Sequence, residues 1–279
     1  MWRLLCCFVC FSAESFAQQA PILFVDAIGL LQSDAGQSVE GQTFKAILSK
    51  LEGQYELTQI QRNRARSMLL NEPRACSPWL KKTAERSQKY IFSVPYMYEP
   101  GLRLVVQQNS RWLPVLKNLA SIDGAIHLKT LLQHESTPLI GIESNRSYGE
   151  ELDQILNQFQ SKLYIRTSSS SQPGSMLPML ERSFIDVTIE YPAIAASTKM
   201  ATSQFTIAEA TAFSGVHIAC TKSAQGNVNL QLINQAIREL ANDENYRRWV
   251  REHVGEQQAD KVMKVWGTAL AEHPHPTEY

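Results

Sequence analysis

The stretch TAERSQKYIFSVPY, residues 83–96, decides how the rest of the chain is interpreted. It combines a fixed positive charge, several aromatic rings and a proline. The planar guanidinium of Arg86 can hold a carboxylate through two parallel hydrogen bonds, and the neighbouring Glu85 could brace it. Pro95 interrupts whatever helix or strand precedes it. The same residues also fit a plainer interpretation, a surface Arg–Glu ion pair followed by an edge strand with core aromatics.

Upstream of this stretch, predicted strands alternate with predicted helices. Apolar and alternating runs predict strands at residues 21–25 and 55–60, and helical spacing predicts helices at 41–51 and 62–70. A short strand is expected at 74–76. Strands that alternate with helices over short connections predict right-handed crossovers and a mainly parallel sheet.

A second α/β unit is predicted downstream, beginning with a strong strand signal at residues 101–107. The following patterns predict helices at 127–132, 149–159 and 173–181, and strands at 138–142, 163–165 and 184–189. The segment 206–212 is expected to carry the chain back to the first unit, where 216–220 is predicted to be a strand. Helices predicted at 229–241, 244–253 and 256–270 complete the chain.

The pattern T-x-x-R-x-x-x-x-x-F-S-x-P-Y in residues 83–96 resembles the signature of periplasmic solute-binding proteins of the amino-acid type. The order of a first unit, an inserted second unit and a helical return is similar to that family from about residue 23 to 265. The resemblance implies an α/β, two-lobe, type II periplasmic-binding-protein-like fold. Each lobe would be a mainly parallel sheet flanked by helices, and two hinge crossovers would join the lobes near 96–101 and 205–212.

The lobe boundaries follow from the same resemblance. The first lobe is expected to comprise residues 18–100 and 208–270, the second lobe residues 101–207, and residues 271–279 a flexible tail. Ligand binding would close the lobes on each other, because contacts from both lobes form only in the closed state.

In the first lobe, the resemblance implies that Arg86 holds an acidic group of the ligand, with Trp79 or Tyr96 packing on the ligand body. Trp79 fits a position in the core equally well, because tryptophan is usually mostly buried. The family usually has small and hydroxyl-bearing residues before the arginine, where this chain has Trp79, Lys81 and Lys82. Lys81 or Lys82 would make the site more cationic than a simple amino-acid site, which favours a more anionic or larger ligand.

In the second lobe, the segment GIESNRSYG at residues 141–149 joins a predicted strand to a predicted helix, and its G-x-x-x-x-R-S-Y-G pattern is similar to an exported branch of the family. A helix N-terminus suits an anion, so Arg146 and Ser147 are expected to close on the ligand. Simple helix capping is the alternative role for this loop. Glu190 is a candidate partner for a ligand ammonium, although the family often places that acid one residue later, where this chain has Tyr191.

The first residues predict export. Residues 1–17 have a short positive start at Arg3, an apolar run and a small-x-small ending, which together are typical of a cleaved secretory signal peptide. The mature protein is therefore expected in the periplasm. Its remaining cysteines, Cys76 and Cys220, are candidates for a disulfide in that oxidising compartment, and two buried thiols are the alternative.

Composition and motifs narrow the function classes. Equal numbers of basic and acidic residues give a formal net charge of zero, which disfavours nucleic-acid and anionic-membrane partners. The sequence lacks zinc-protease, nucleotide-binding and hydrolase motifs, so neither a metal nor a cofactor is predicted. We expect a monomeric, non-enzymatic binding protein with a small-molecule ligand, working with an ABC permease. The alternatives are a sensor module for a membrane receptor and an exported dehydratase-like enzyme on the same scaffold.

Overall fold

The computed structural model describes residues 20–27, 31, 39–78, 80–134, 136–144, 146–167, 174–254 and 256–272. The predicted signal peptide, residues 1–17, and Trp79 lie outside these residues. The C-terminal helix extends to Glu272, into the segment predicted as a tail, and residues 273–279 lie outside the described part.

Thirteen strands and eleven α-helices are described. The strands are β1 Ile22–Val25, β2 Tyr55–Thr58, β3 Ala75–Ser77, β4 Tyr90–Phe92, β5 Met97–Pro100, β6 Arg103–Gln107, β7 Ala125–Ile126, β8 Ile140–Glu143, β9 Leu163–Arg166, β10 Val187–Glu190, β11 Thr202–Ile207, β12 Phe213–Val216 and β13 Ala219–Thr221. The helices are α1 Val39–Lys50, α2 Arg62–Asn71, α3 Ala84–Lys89, α4 Leu113–Leu119, α5 Leu128–Gln133, α6 Glu150–Gln158, α7 Leu177–Glu181, α8 Pro192–Ala196, α9 Ala224–Ala241, α10 Glu244–Val254 and α11 Glu256–Glu272. None of the described helices is long and apolar enough to cross a membrane.

The first lobe is built on a five-stranded sheet in the order β2-β1-β3-β13-β4. Strands β1, β2 and β3 run parallel, as the strand–helix alternation predicts, whereas β13 runs antiparallel to β3 and β4. Buried aromatic side chains fill the core of this lobe, and the rings of Phe24 and Phe44 meet edge to face with centroids 5.2 Å apart. The C-terminal helix α11 adds Trp266, whose indole Nε1 donates a hydrogen bond to the Pro95 carbonyl at 2.7 Å.

The second lobe is built on a six-stranded sheet in the order β7-β11-β6-β10-β8-β9. Strands β10, β8 and β9 are parallel, and β6 runs antiparallel to both β10 and β11. Among the described strands, each sheet is mainly parallel, as predicted: β13 in the first sheet and β6 in the second run against the others. Each of these two reversed strands follows a hinge strand, β12 or β5. The core of this lobe is aliphatic and includes fully buried Leu104, Leu131 and Ile140.

Two short antiparallel strands, β5 and β12, connect the lobes. Met97 lies opposite Val216, and the Gly101 amide donates to the Ala212 carbonyl at 2.9 Å. The first crossing falls where the Pro-Tyr pattern predicts it. The second lies later than the predicted segment 205–212, because Phe205 still pairs with Leu104 inside the six-stranded sheet.

A disulfide joins Cys76 on β3 to Cys220 on β13. These residues lie directly opposite each other in the antiparallel register, with their Cα atoms 4.1 Å apart. They are 144 positions apart in the chain, so the link fastens the return strand of the first lobe to a strand from its first part.

Candidate functional site

Arg86 lies on the short helix α3, which follows β3 in the first lobe. Thr83 caps this helix by accepting a hydrogen bond from the Arg86 amide at 3.2 Å. The Arg86 guanidinium is half-buried and donates to the Lys81 carbonyl at 3.0 Å. Glu85 does not brace it through a salt bridge as the sequence suggests: its carboxylate is 2.7 Å from the Lys89 ammonium, one helical turn away.

Lys81 extends from the first lobe to the second. Its Nζ donates to the Tyr148 carbonyl at 3.4 Å and lies 6.0 Å from the centroid of the Tyr191 ring, and both of these residues belong to the second lobe. Burial lowers the pKa of Lys81, while the nearby Glu99 and Asp153 carboxyls act in the opposite direction. Lys81 is therefore a charged residue of the first lobe that contacts the second lobe directly.

Arg146 and Glu190 form a buried ion pair inside the second lobe. The guanidinium and carboxylate make two hydrogen bonds of 2.5 and 2.9 Å, with 12% of the Arg146 side chain and 0% of the Glu190 side chain exposed. Burial opposes the charge on Arg146, but Glu190 outweighs it and raises the pKa of Arg146. Arg146 also lies over the rings of Tyr148 and Tyr191, at 5.0 and 5.6 Å from their centroids.

This pairing changes what both residues can offer a ligand. Glu190 also accepts from the Gly174 and Tyr191 amides, so its carboxylate is fully engaged. A carboxylate that already has a bidentate arginine is a poor partner for a ligand ammonium, because its charge is balanced in place. The predicted role of Glu190 toward a ligand amine therefore has no support in its contacts.

Ser147 is held by the loop that contains it. Its hydroxyl donates to Asp153 at 2.6 Å and accepts from the Gly149 amide at 3.3 Å. The Tyr148 amide donates to the other Asp153 oxygen at 2.7 Å. Helix α6 begins after Gly149, which takes the N-cap position at φ 111°, so these bonds favour the capping alternative for this loop.

Tyr96 lies in the core of the first lobe and not on the cleft surface. Its residue is 0% exposed, and its hydroxyl donates to the Pro78 carbonyl at 3.3 Å. A ring with no exposed surface cannot pack on a ligand, which corrects the expectation for Tyr96. Trp79, the other aromatic candidate, lies outside the described residues.

The sequence interpretation missed an acidic group in the hinge, Glu99 on β5. Burial and the Glu40 carboxyl raise the pKa of Glu99 to about 8, against the effects of Tyr191, Lys81 and Arg146. The Tyr191 hydroxyl is the hydrogen-bonding neighbour of both Glu99 and Ser214, which lie opposite each other on the two hinge strands. The sequence did contain a signal that could have identified Glu99. This acidic residue lies between Pro95 and Gly101, in a segment already predicted to be a hinge.

The cleft therefore contains cationic groups from both lobes beside a carboxyl that is largely protonated at neutral pH. Lys81 and Arg86 come from the first lobe, and Arg146 is balanced within the second lobe by Glu190. Such a set can hold a carboxylate through charge-assisted hydrogen bonds. The described residues contain no group of three or more potential metal-binding side chains.

No protein-family model matches the sequence, and no match was found among curated proteins. Solved structures do match in fold. An ancestral arginine-binding protein bound to glutamine aligns with a TM-score of 0.60 and 17% identity, over 84% of this chain and 97% of that one. An arginine transport-system periplasmic binding protein from Legionella pneumophila aligns with a TM-score of 0.56 and 15% identity, over 82% and 97%.

A third structure is an ancestral amino acid-binding protein described as a precursor of cyclohexadienyl dehydratase. It aligns with a TM-score of 0.55 and 17% identity, over 82% of this chain and 92% of that one. The chain therefore has the two-lobe α/β fold of the type II periplasmic binding proteins.

Proposed function

We propose that this protein binds a small anionic or amino-acid-like solute between its two lobes in the periplasm and delivers it to an ABC transporter. The observation that carries the proposal is the contact of the Lys81 ammonium with the Tyr148 carbonyl of the second lobe, next to Arg86, whose guanidinium donates to the Lys81 carbonyl. The similar fold of amino acid ABC transporter substrate-binding proteins supports a small-molecule ligand and a permease as partner.

In this proposal, Arg86 is the main anchor of the ligand. Its guanidinium is oriented by the Lys81 carbonyl, and the planar shape of its donor fork matches the two oxygens of a carboxylate. The lobes close because a ligand held by Arg86 gains further contacts from the second lobe only in the closed state.

The test is ligand-induced thermal stabilisation of the Arg86→Ala variant. Wild-type protein is expected to show a higher Tm with its ligand, found by screening carboxylates and amino acids or by native mass spectrometry of protein from its own periplasm. Arg86→Ala should lose this shift while keeping its ligand-free Tm near that of wild type, because the side chain is only half-buried.

The control is Arg64→Ala, which removes an exposed arginine from helix α2 of the same lobe. This variant should keep the full ligand shift. A wild-type shift in Arg86→Ala would contradict the role proposed for Arg86.

A dehydratase-like enzyme is the second candidate. It is favoured by Glu99, whose raised pKa of about 8 keeps a proton available in the cleft for general acid chemistry. The similar structure described as a precursor of cyclohexadienyl dehydratase points the same way. Turnover of a cyclohexadienyl carboxylic acid that is lost in Glu99→Gln would support the enzyme, whereas binding without turnover would leave the transport proposal.

A further inference from the structure

The ammonium group of Lys81 lies in an environment suited to a ligand ammonium. It has a carbonyl oxygen acceptor at Tyr148, an aromatic face at Tyr191 and two carboxyls, Glu99 and Asp153, close enough to act on its charge. Carbonyl oxygens, ring faces and carboxyls are the groups that recognise a primary ammonium. These groups come from the second lobe and the hinge, whereas Lys81 comes from the first lobe.

The space beside this ammonium is also limited. A Cβ added at Gly149 would lie 3.6 Å from the Lys81 Nζ, so the lysine packs directly against the loop that precedes helix α6. Gly149 also has φ +111°, a backbone conformation that residues with a side chain rarely adopt. The lysine thus fills the region between the two lobes at this point.

The acids around this region are already engaged. Glu190 is paired with Arg146, Asp153 accepts from Ser147 and the Tyr148 amide, and Glu99 is neighboured by Tyr191. A second ammonium placed here would meet the Lys81 charge without a carboxylate of its own. Like charges at such short range repel each other, which disfavours a ligand with an ammonium group here.

We propose that the Lys81 ammonium occupies the ammonium subsite of the interlobe site, so that the protein takes organic carboxylates without an α-ammonium group rather than zwitterionic amino acids. This inference rests on the proposed function and narrows its ligand class. Lys81 then acts as a specificity-determining residue: it neutralises a carboxylate held beside Arg86 and repels an amine.

The experiment compares matched pairs of ligands by isothermal titration calorimetry and thermal shift. Each pair consists of an amino acid and the same carbon skeleton without the amine, namely aspartate with succinate, glutamate with glutarate and leucine with 4-methylpentanoate. Wild-type protein is expected to bind the amine-free member of at least one pair on the order of tenfold or more tightly than the amino acid, an energy difference of ordinary size for one misplaced charge.

Lys81→Met keeps an unbranched side chain one atom shorter and removes the charge, and Lys81→Gln also removes the charge but keeps a side-chain N–H donor. Both variants are expected to lose the preference within the pair by about tenfold or more, through weaker carboxylate binding and stronger amino-acid binding. The control Lys82→Met removes the neighbouring exposed lysine and should leave the preference unchanged. Because two Lys81 variants are measured, the test still gives a result if one of them fails to fold.

The possible outcomes separate this inference from the proposed function. Equal or tighter binding of the amino acid by wild type would overturn the inference and leave solute binding intact. A preference that survives in both Lys81 variants would also overturn it. If no member of any pair binds to wild type, the carboxylate class is refuted, and solute binding itself is then tested by the co-purified ligand and by Arg86→Ala.

Discussion

At the scale of single residues, buried charge is the main organising feature of the second lobe. Removing one partner of a buried ion pair is far more costly than never having the pair, because the remaining charge is left without compensation. Arg146 and Glu190 avoid this cost by a bidentate bond and by two backbone amides on the carboxylate. Their pairing fixes the loop that faces Lys81. The pair therefore contributes to a ligand site by holding this loop in place.

Glu99 is expected to make the free energy of unfolding depend on pH. Its folded-state pKa is raised from 4.5 to about 8 by burial first and Glu40 second, so the folded state keeps a proton that the unfolded state releases. The free energy of unfolding should therefore fall as pH rises from about 4.5 to about 8, by up to about 1.4 kcal/mol per pH unit. Chemical denaturation across this window measures the slope.

The matching variant is Glu99→Gln, which cannot ionise. Its unfolding free energy should be less dependent on pH than that of wild type throughout the same window. Glu181→Gln, an exposed acid on helix α7, should keep the wild-type slope. Identical slopes in Glu99→Gln and wild type would show that Glu99 ionises in the folded protein as it does in the unfolded chain.

At this scale, the sequence predicted residue types better than it predicted partners. The Arg86 signature and the loop with Arg146 and Ser147 were identified from local pattern alone. The pairing of Arg146 with Glu190 was not, because those residues are 44 positions apart and meet only when β8 and β10 pair in the sheet. Glu85 differs, because its partner Lys89 is only four positions away and lies on the same face of the helix Ala84–Lys89.

At the scale of secondary-structure elements, the hinge depends on a close approach of two backbones. Gly101 follows β5, and its amide bonds to the Ala212 carbonyl just before β12. A Cβ built at Gly101 would lie 1.9 Å from the Thr211 carbonyl oxygen, and neither backbone can move without disturbing the other. The side chain at this position is therefore restricted to hydrogen.

Gly101→Ala is expected to separate the two crossings and lower stability by about 1–3 kcal/mol, the usual cost of overpacking. Thermal unfolding measures the effect. The control is Gly267→Ala on helix α11, where an added Cβ meets no atom within 4 Å. That variant should be as stable as wild type or more stable, because alanine favours helix by about 1 kcal/mol over glycine. A Gly101→Ala protein as stable as wild type would contradict the close approach.

The elements with strong local periodicity were predicted well, and those defined by distant pairing were not. The first strands and the long helices follow from apolar spacing. The stretch 216–220 was predicted to be one strand, but it is divided between β12 in the hinge and β13 in the first sheet. His217 and Ile218 lie between them and bond to Ser93, a partner that no local pattern discloses.

At the scale of the whole molecule, the disulfide is expected to contribute substantially to stability. Removing a native disulfide typically costs about 2–5 kcal/mol. Reduction with dithiothreitol should therefore lower the Tm of wild type by several degrees. The Cys76→Ala/Cys220→Ala double variant should have a similarly low Tm that the reductant leaves unchanged, and a reductant-sensitive Tm in that variant would contradict the assignment.

The two-lobe architecture was predicted from the order of strand and helix patterns taken together with their resemblance to the solute-binding family. An inserted α/β unit interrupts the first one, and the return strand completes the first sheet beside β3. The mainly parallel direction of both sheets was predicted, but the reversal of β6 and β13 was not, because their direction depends on how the hinge strands lead into each sheet.

The link between Cys76 and Cys220 also changes the connectivity of the chain. The residues between them form a closed covalent ring that contains both crossings and the entire six-stranded sheet. A protease that cuts one peptide bond within this ring would open it without separating the molecule into two pieces. The cut protein would then run as two fragments on a reducing gel and as one species on a non-reducing gel. The second lobe would remain attached to the first lobe at both of its ends.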